Sequence, residues 1–199
     1  MGKSIYTVVN PINKNVEAFL IGIDDRVYLN YFRYEDQQWH DWSPDVIKQP
    51  SGKSISAIFN PINQNLQVYL LGKDDQVYYN YFDDTWHDWT SNGIKQPSIS
   101  SKSIYAVVNP KNKNVEVFLI GTDDKVHYNY FDGTWHNWSP DVIQQPSGKS
   151  ISAIVNPQNN NNLEVYLLGI DNKVYYNYFD SAWHDWTPQK ITPFVGVNP

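Results

Sequence analysis

The chain of 199 residues is 41% hydrophobic and 16% aromatic, enough apolar material for a folded core and too much for a disordered polymer. Its net charge of −6 leaves no surplus of Lys and Arg to neutralise phosphates, which argues against nucleic acid or an anionic membrane as a partner. There is no cysteine, so disulfides and thiolate metal sites are excluded, and no apolar run approaches the ~18 residues that a membrane helix needs.

The opening MGKSIYTVVNPINK lacks the apolar centre and cleavage site of a secretory signal. The expected location is therefore cytoplasmic, or outside the cell by a route without a classical signal peptide.

The first predicted strand, SIYTVV from Ser4, stops at the turn signal Asn10-Pro11. In the second, Val16, Ala18 and Leu20 face one way and Glu17, Phe19 and Ile21 the other, so both faces are largely apolar and the strand is sandwiched. Asp24-Asp25 then forms a hairpin, because Asp tolerates left-handed backbone geometry and bonds its own backbone. The third strand, VYLNYF, is aromatic on both sides, which suits a sheet stacked between two neighbours. After a polar turn comes WHDW, Trp39 to Trp42.

This series recurs from Ser54, Ser103 and Ser150, at spacings of 50, 49 and 47 residues, the range of propeller blades. All eight tryptophans lie in the four copies of WHDW or WHNW. Repeats one and three are most alike, as are two and four, with Tyr6 and Tyr105 alternating with Ser56 and Ser152.

The expected fold is all-β: a β-propeller of four blades of roughly 48 residues, each a four-stranded antiparallel sheet, forming a single domain over 1–199. The repeats run 4–53, 54–102, 103–149 and 150–191. Residues 192–199 supply a spare strand, since Val197-Asn198-Pro199 repeats Val9-Asn10-Pro11. Either the ring closes with one copy of that strand and lays the other at an edge, or the spare strand pairs with another chain and makes a homo-oligomer.

Neighbours on a strand point to opposite faces, so His40 and Asp41 cannot jointly grip an ion unless a bulge re-aims one of them; no metal or other cofactor is expected. Four near-identical copies build near-identical sites, which suits binding better than acid–base catalysis, where partners need different environments. No enzyme is expected.

Tryptophans three apart on a regular strand face opposite ways. The second of each pair is therefore expected to pack the blade, and the first, Trp39, Trp86, Trp135 and Trp183, to lie in a cleft toward the next blade, where an indole can stack on the C–H face of a sugar. Asn30, Asn80, Asn129 and Asn177 offer amides to hydroxyls, or else tie strands together. The WHDW histidines bond a ligand or a neighbouring backbone carbonyl, the carbonyl being favoured.

LEVYLLGIDNKVYYNYFDSAWHDW (Leu163 to Trp186) and its copies resemble the repeat of bacterial and fungal propeller lectins, closest to the Photorhabdus type, with VFLIGTDDKVHYNYFDGTW (Val117 to Trp135) the best local match. The resemblance implies a propeller with sugar sites between blades. Related fucose-binding propellers hold sugar with an Arg, a Glu and an aromatic residue. Here Glu17, Gln67, Glu116 and Glu164 stand where the Arg would fall, and Leu29, Tyr79, Tyr128 and Tyr176 where the Glu would fall. Only the aromatic part carries over, to Trp39, Trp86, Trp135 and Trp183, so fucose specificity is not implied.

The function expected is multivalent carbohydrate binding without catalysis, with glycans or glycoconjugates as partners. The alternative is a non-catalytic propeller serving as a protein-interaction, structural or toxin-associated module.

Overall fold

The computed structural model describes residues 3–43, 50–139 and 146–188; the spare strand expected at 192–199 lies outside the described residues. Every named element is a strand. The first sheet joins β1 (Ser4–Val9), β2 (Val16–Ile21), β3 (Val27–Arg33) and β4 (Gln38–Trp39) in that order. The second joins β5 (Gly52–Asn60), β6 (Asn65–Gly72) and β7 (Val77–Phe82), and the third β8 (Ser101–Val108), β9 (Val115–Gly121) and β10 (Val126–Phe131). The fourth joins β11 (Gly148–Asn156), β12 (Asn162–Gly169), β13 (Val174–Phe179) and β14 (Thr187–Pro188).

Each sheet is an antiparallel meander whose turns are chemically specified. The first is held by an Asn side chain that accepts the amide two residues on: Asn10 from Ile12 at 3.0 Å, Asn60 from Ile62 at 2.8 Å, Asn109 from Lys111 at 3.0 Å, Asn156 from Gln158 at 3.0 Å. In the second, Asp25, Asp75, Asp124 and Asn172 take left-handed φ of 66°, 65°, 62° and 64°, as the hairpin motif requires. Lys3, Lys53 and Lys102, ahead of or early in the first strand, pair with Asp25, Asp75 and Asp124, and Lys149 Nζ bonds Asn172 at 2.8 Å.

The fourth strand departs from the regular form expected of it. Phe82 bridges Trp86, whereas three residues back on β7, Tyr79 bridges Thr90, four residues further along the edge. One extra residue sits in WHDW, a β-bulge, and the other repeats share it: Phe131–Trp135 with Tyr128–Ser139, Phe32–Trp39 with Leu29–Ser43, Phe179–Trp183 with Tyr176–Thr187. Three residues across a regular strand reverse the side-chain direction. The bulge restores it, so both tryptophans of a pair face the same way.

The core lies between sheets. One cluster joins the first and second, around Phe19, Leu29, Ala57 and Leu70; a second joins the second and third, around Tyr69, Leu71, Ile104 and Leu119; a third joins the third and fourth, around Phe118, Ile120, Leu163 and Leu167. Among the described residues no such cluster joins the fourth sheet to the first. The first strands line the inner side, where Tyr6 of the first sheet meets Tyr105 of the third edge-on, ring centroids 5.9 Å apart, and the Tyr105 hydroxyl donates to the Ala153 carbonyl of the fourth at 3.0 Å.

Candidate functional site

Both tryptophans of the last three pairs pack toward the preceding sheet, Trp86 and Trp89 in the first cluster, Trp135 and Trp138 in the second, Trp183 and Trp186 in the third. At these three junctions the bulge turns both rings toward the preceding sheet, in place of the expected division into one tryptophan that packs the blade and one in a cleft toward the next. The first of each pair wedges edge-on against a ring of the preceding second strand: Trp86 on Phe19, Trp135 on Tyr69 at 5.9 Å, Trp183 on Phe118 at 6.0 Å. Trp39 and Trp42 have no sheet before them among the described residues and are 57% and 43% exposed.

Asn30, Asn80, Asn129 and Asn177 are all buried, and the amides of Asn80 and Asn177 serve the backbone that the bulge releases from the ladder. Asn177 donates to the His184 carbonyl and accepts the His184 amide at 3.2 Å, and Asn80 makes the equivalent bond to the His87 carbonyl. Asn129 accepts from the Tyr130 amide at 2.7 Å. Asn80 and Asn177 thus tie the third strand to the WHDW segment.

The histidines do not bond a backbone carbonyl through their rings, as was expected. Each stacks on the tyrosine of the third strand, His40 on Tyr31 at 4.5 Å between centroids, His87 on Tyr81 and His136 on Tyr130 at 4.0 Å, His184 on Tyr178 at 3.9 Å. Each also places Nε2 beside the carboxylate four residues back, His87 at 2.6 Å from Asp83, His136 and His184 at 3.1 Å from Asp132 and Asp180, His40 at 3.3 Å from Asp36. The histidines hold the Asp132 and Asp180 carboxyls below the usual carboxylate range.

A cleft of about 440 Å³ opens between the first and second sheets. Leu29 on β3 and Trp86 and Phe82 of the second sheet line its apolar side, and Glu17, Tyr31, Arg33, Glu35, Asn13 and Asn15 bring polar groups to it. Leu29 makes the room. At the next two junctions that station holds Tyr79, whose ring stacks on Tyr69 at 6.3 Å, and Tyr128, which leans on Phe118 at 5.3 Å.

Glu17 lies at the base of this cleft, and burial pushes its carboxyl up to about 7. The equivalent side chains are tied to their own sheet: Gln67 accepts from Asn60 at 3.2 Å and from Tyr69, Glu116 from Asn109, Glu164 from Asn156 at 2.8 Å and Tyr166 at 2.9 Å. Glu17 lacks the tyrosine clamp because Phe19 replaces Tyr69 or Tyr166 on the strand and Leu29 replaces Tyr128 or Tyr176 beside it. Arg33 sits at the rim, its Nη2 donating to the Tyr31 hydroxyl at 3.5 Å and its Nη1 3.4 Å from Asp36. The Tyr34 amide, bonded to Asn15 Oδ1 at 3.0 Å, anchors the loop that carries Glu35.

The tryptophan stations named from sequence thus enter this cleft through Trp86 alone; Trp135 and Trp183 occupy the same station at the next junctions, and Trp39 faces outward. Glu17, Tyr31, Arg33 and Glu35 were not singled out as site residues. Their signal is readable: FRYEDQQW in the first repeat is three residues longer than FDDTW, FDGTW and FDSAW in the others.

No sequence family matches the chain, and no curated protein matches it. In fold it is similar to the BP39L lectin of Burkholderia pseudomallei, with a TM-score of 0.73 at 12% identity over 93% of this chain and 55% of the lectin. It is also similar to the Aleuria aurantia lectin, a six-bladed β-propeller with a fucose recognition mode, with a TM-score of 0.61 at 17% identity over 95% of this chain and 63% of that one. A protein of Bifidobacterium bifidum s17, provisionally named an exo-β-1,3-galactanase, matches with a TM-score of 0.60 at 11% identity over 92% and 70%. The shared property is the fold, an all-β, multi-bladed array of propeller kind. The chain spans 55% and 63% of the two lectins' lengths.

Proposed function

We propose that the chain is a carbohydrate-binding protein of the propeller-lectin kind, with sugar sites at the junctions between four blades and no catalytic step. The observation that carries this reading is the first cleft, where the Trp86 and Tyr31 rings stand with Arg33, Glu17 and Glu35 around a space the size of a small ligand. Indole and phenol rings offer a surface for the C–H face of a sugar, and the guanidinium and carboxylates pair with its hydroxyls.

The partners are glycans or glycoconjugates, and the nearer kinship to Photorhabdus-type repeats rests on the motif from Val117 to Trp135. Tyr79 and Tyr128 narrow the later junctions, so the sites are unequal and the first is the strongest. Glu17 recurs as Glu116 and Glu164 and is Gln67 in the second repeat, which supports a role in the blade and in hydroxyl contact over proton transfer.

The test is a glycan array on the purified, folded chain, followed by calorimetry with free sugar and an assay for new reducing ends. Binding to one glycan class at roughly millimolar to micromolar affinity per site, with no hydrolysis, is expected. Uniform silence across the array would favour the interaction module instead, and released sugar would overturn the non-catalytic reading.

A further inference from the structure

Among the described residues two apolar sheet faces are left uncovered, and they are the two halves of a junction the array already contains. At the second junction, Ile58, Tyr69 and Leu71 pack against Ile104, Ala106 and Leu119. The fourth sheet carries Ile154, Tyr166 and Leu168 at the stations of the first three, and the first sheet carries Ile5, Thr7 and Leu20 at the stations of the second three. Ile58 and Ile104 are 6% and 4% exposed; Ile154 and Ile5 are 57% and 62% exposed. Apolar side chains of this size are costly to leave in water, so both faces favour being covered.

The ring and hydroxyl contacts are divided in the same way. Trp135 wedges against Tyr69 at the second junction, whereas Tyr166 has only Tyr176 as a ring neighbour among the described residues and Trp39 stands outward. Ser54 and Ser56 accept the amides of Ile104 and Ala106 at 3.1 and 2.9 Å. Ser150 and Ser152, their counterparts, lie exposed, and Ile5 and Thr7 stand where Ile104 and Ala106 stand.

The alternation of repeats identifies the occupant. The Ser56 and Ser152 station alternates with Tyr6 and Tyr105, and the sheet with Ser56 is followed by the one with Tyr105, so the face of the fourth calls for a sheet of the first or third kind. The third is buried on both sides, and among the described residues the first has its matching face uncovered. We infer that the fourth sheet binds the first sheet of a second copy of this chain, head to tail, and so rebuilds the second junction between molecules. This contact is heterologous, using different surfaces on the two partners, and it repeats until the copies close a ring or extend a fibre. It also brings Trp39 of one copy over Glu164 and Tyr178 of the other, the relation that Trp86 bears to Glu17 and Tyr31, so a junction of the lectin-site kind is completed only by assembly.

Sedimentation of the full chain tests this without any sugar. The chain is expected to sediment with the mass of two or more copies, and Ile5→Asp and Ile154→Asp each to reduce it to the mass of one. Both side chains are more than half exposed within one chain, so both variants fold, which circular dichroism and tryptophan fluorescence check. An equimolar mixture of the two is expected to recover a species of two chains, because one variant keeps an intact fourth sheet and the other an intact first sheet. A wild-type chain that stays single at high micromolar concentration overturns the inference. So does assembly that persists in either variant, which places the contact elsewhere, and so does a mixture that stays single, which excludes the head-to-tail arrangement.

Discussion

Asn80 gives its side-chain amide to the backbone carbonyl of His87, 2.5 Å away, from inside the second sheet. This bond closes the gap that the WHDW bulge opens in the ladder. Asn80→Ala leaves a partly buried carbonyl without its donor, and a loss of about 1–3 kcal/mol in urea unfolding is expected. Sugar affinity at the first cleft is expected to stay unchanged, because Asn80 does not line it. A fall in affinity at unchanged stability would restore this asparagine as a ligand contact.

The tryptophans are expected to divide by junction and not by place in the motif. Trp135→Ala removes a ring wedged on Tyr69 and should cost about 3–5 kcal/mol, whereas the exposed Trp39→Ala, made in the Ile154→Asp background so that assembly does not enter, should stay within about 1 kcal/mol. Chemical denaturation of both reads the contrast. Equal costs would mean that the bulge does not set the role of the ring.

Burial lifts the Glu17 and Glu116 carboxyls from 4.5 to about 7 in the folded chain. Between those two values the folded state holds a proton that the unfolded state has lost, so stability falls as pH rises through this window and the full cost is present above it. Glu116→Gln, which copies Gln67 of the second repeat, is expected to flatten the dependence and to stabilise the chain at about pH 8 by on the order of 1–3 kcal/mol. Melting curves from about pH 5 to about pH 8 check this; a wild-type chain that gains stability toward alkaline pH would refute it.

The first cleft can be narrowed without touching its charges. Leu29→Tyr places at this junction the residue that narrows the next two, and sugar affinity there is expected to fall to that of the later junctions while the fold is kept. Arg33→Ala keeps the space and removes the rim cation, and an affinity loss of roughly 10- to 100-fold is expected from losing a charged hydrogen-bond donor. Calorimetry reads both. Undiminished binding in Leu29→Tyr would move the site to another surface.

The strands were legible because their physics is local. Two-sided apolar strands announced sheets covered on both faces, and Asp25, Asp75 and Asp124 adopt the left-handed turns that Asp-Asp suggested. The relative direction of the two tryptophans was not legible, since one extra residue in WHDW turns the first to the same side as the second, and nothing in those four letters marks a bulge. The cleft was half visible. Leu29 in place of tyrosine and the longer FRYEDQQW segment are plain in the sequence, but that Trp86 of the next repeat forms the opposite wall is a property of how sheets stack.

The contact between Tyr6 and Tyr105 skips a sheet. In an array where each unit touches only its neighbours, terminal units peel away one at a time, and the local melting of an end leaves the rest untouched. Here the first unit is braced directly against the third, and Tyr105 in turn hangs from the Ala153 carbonyl of the fourth. The two phenol rings act as a strut on the concave side, fixing the curvature of the whole span by their own thickness. Fraying of the first unit withdraws that strut and slackens the third and fourth together, so the span gives way as one frame and not as a zipper.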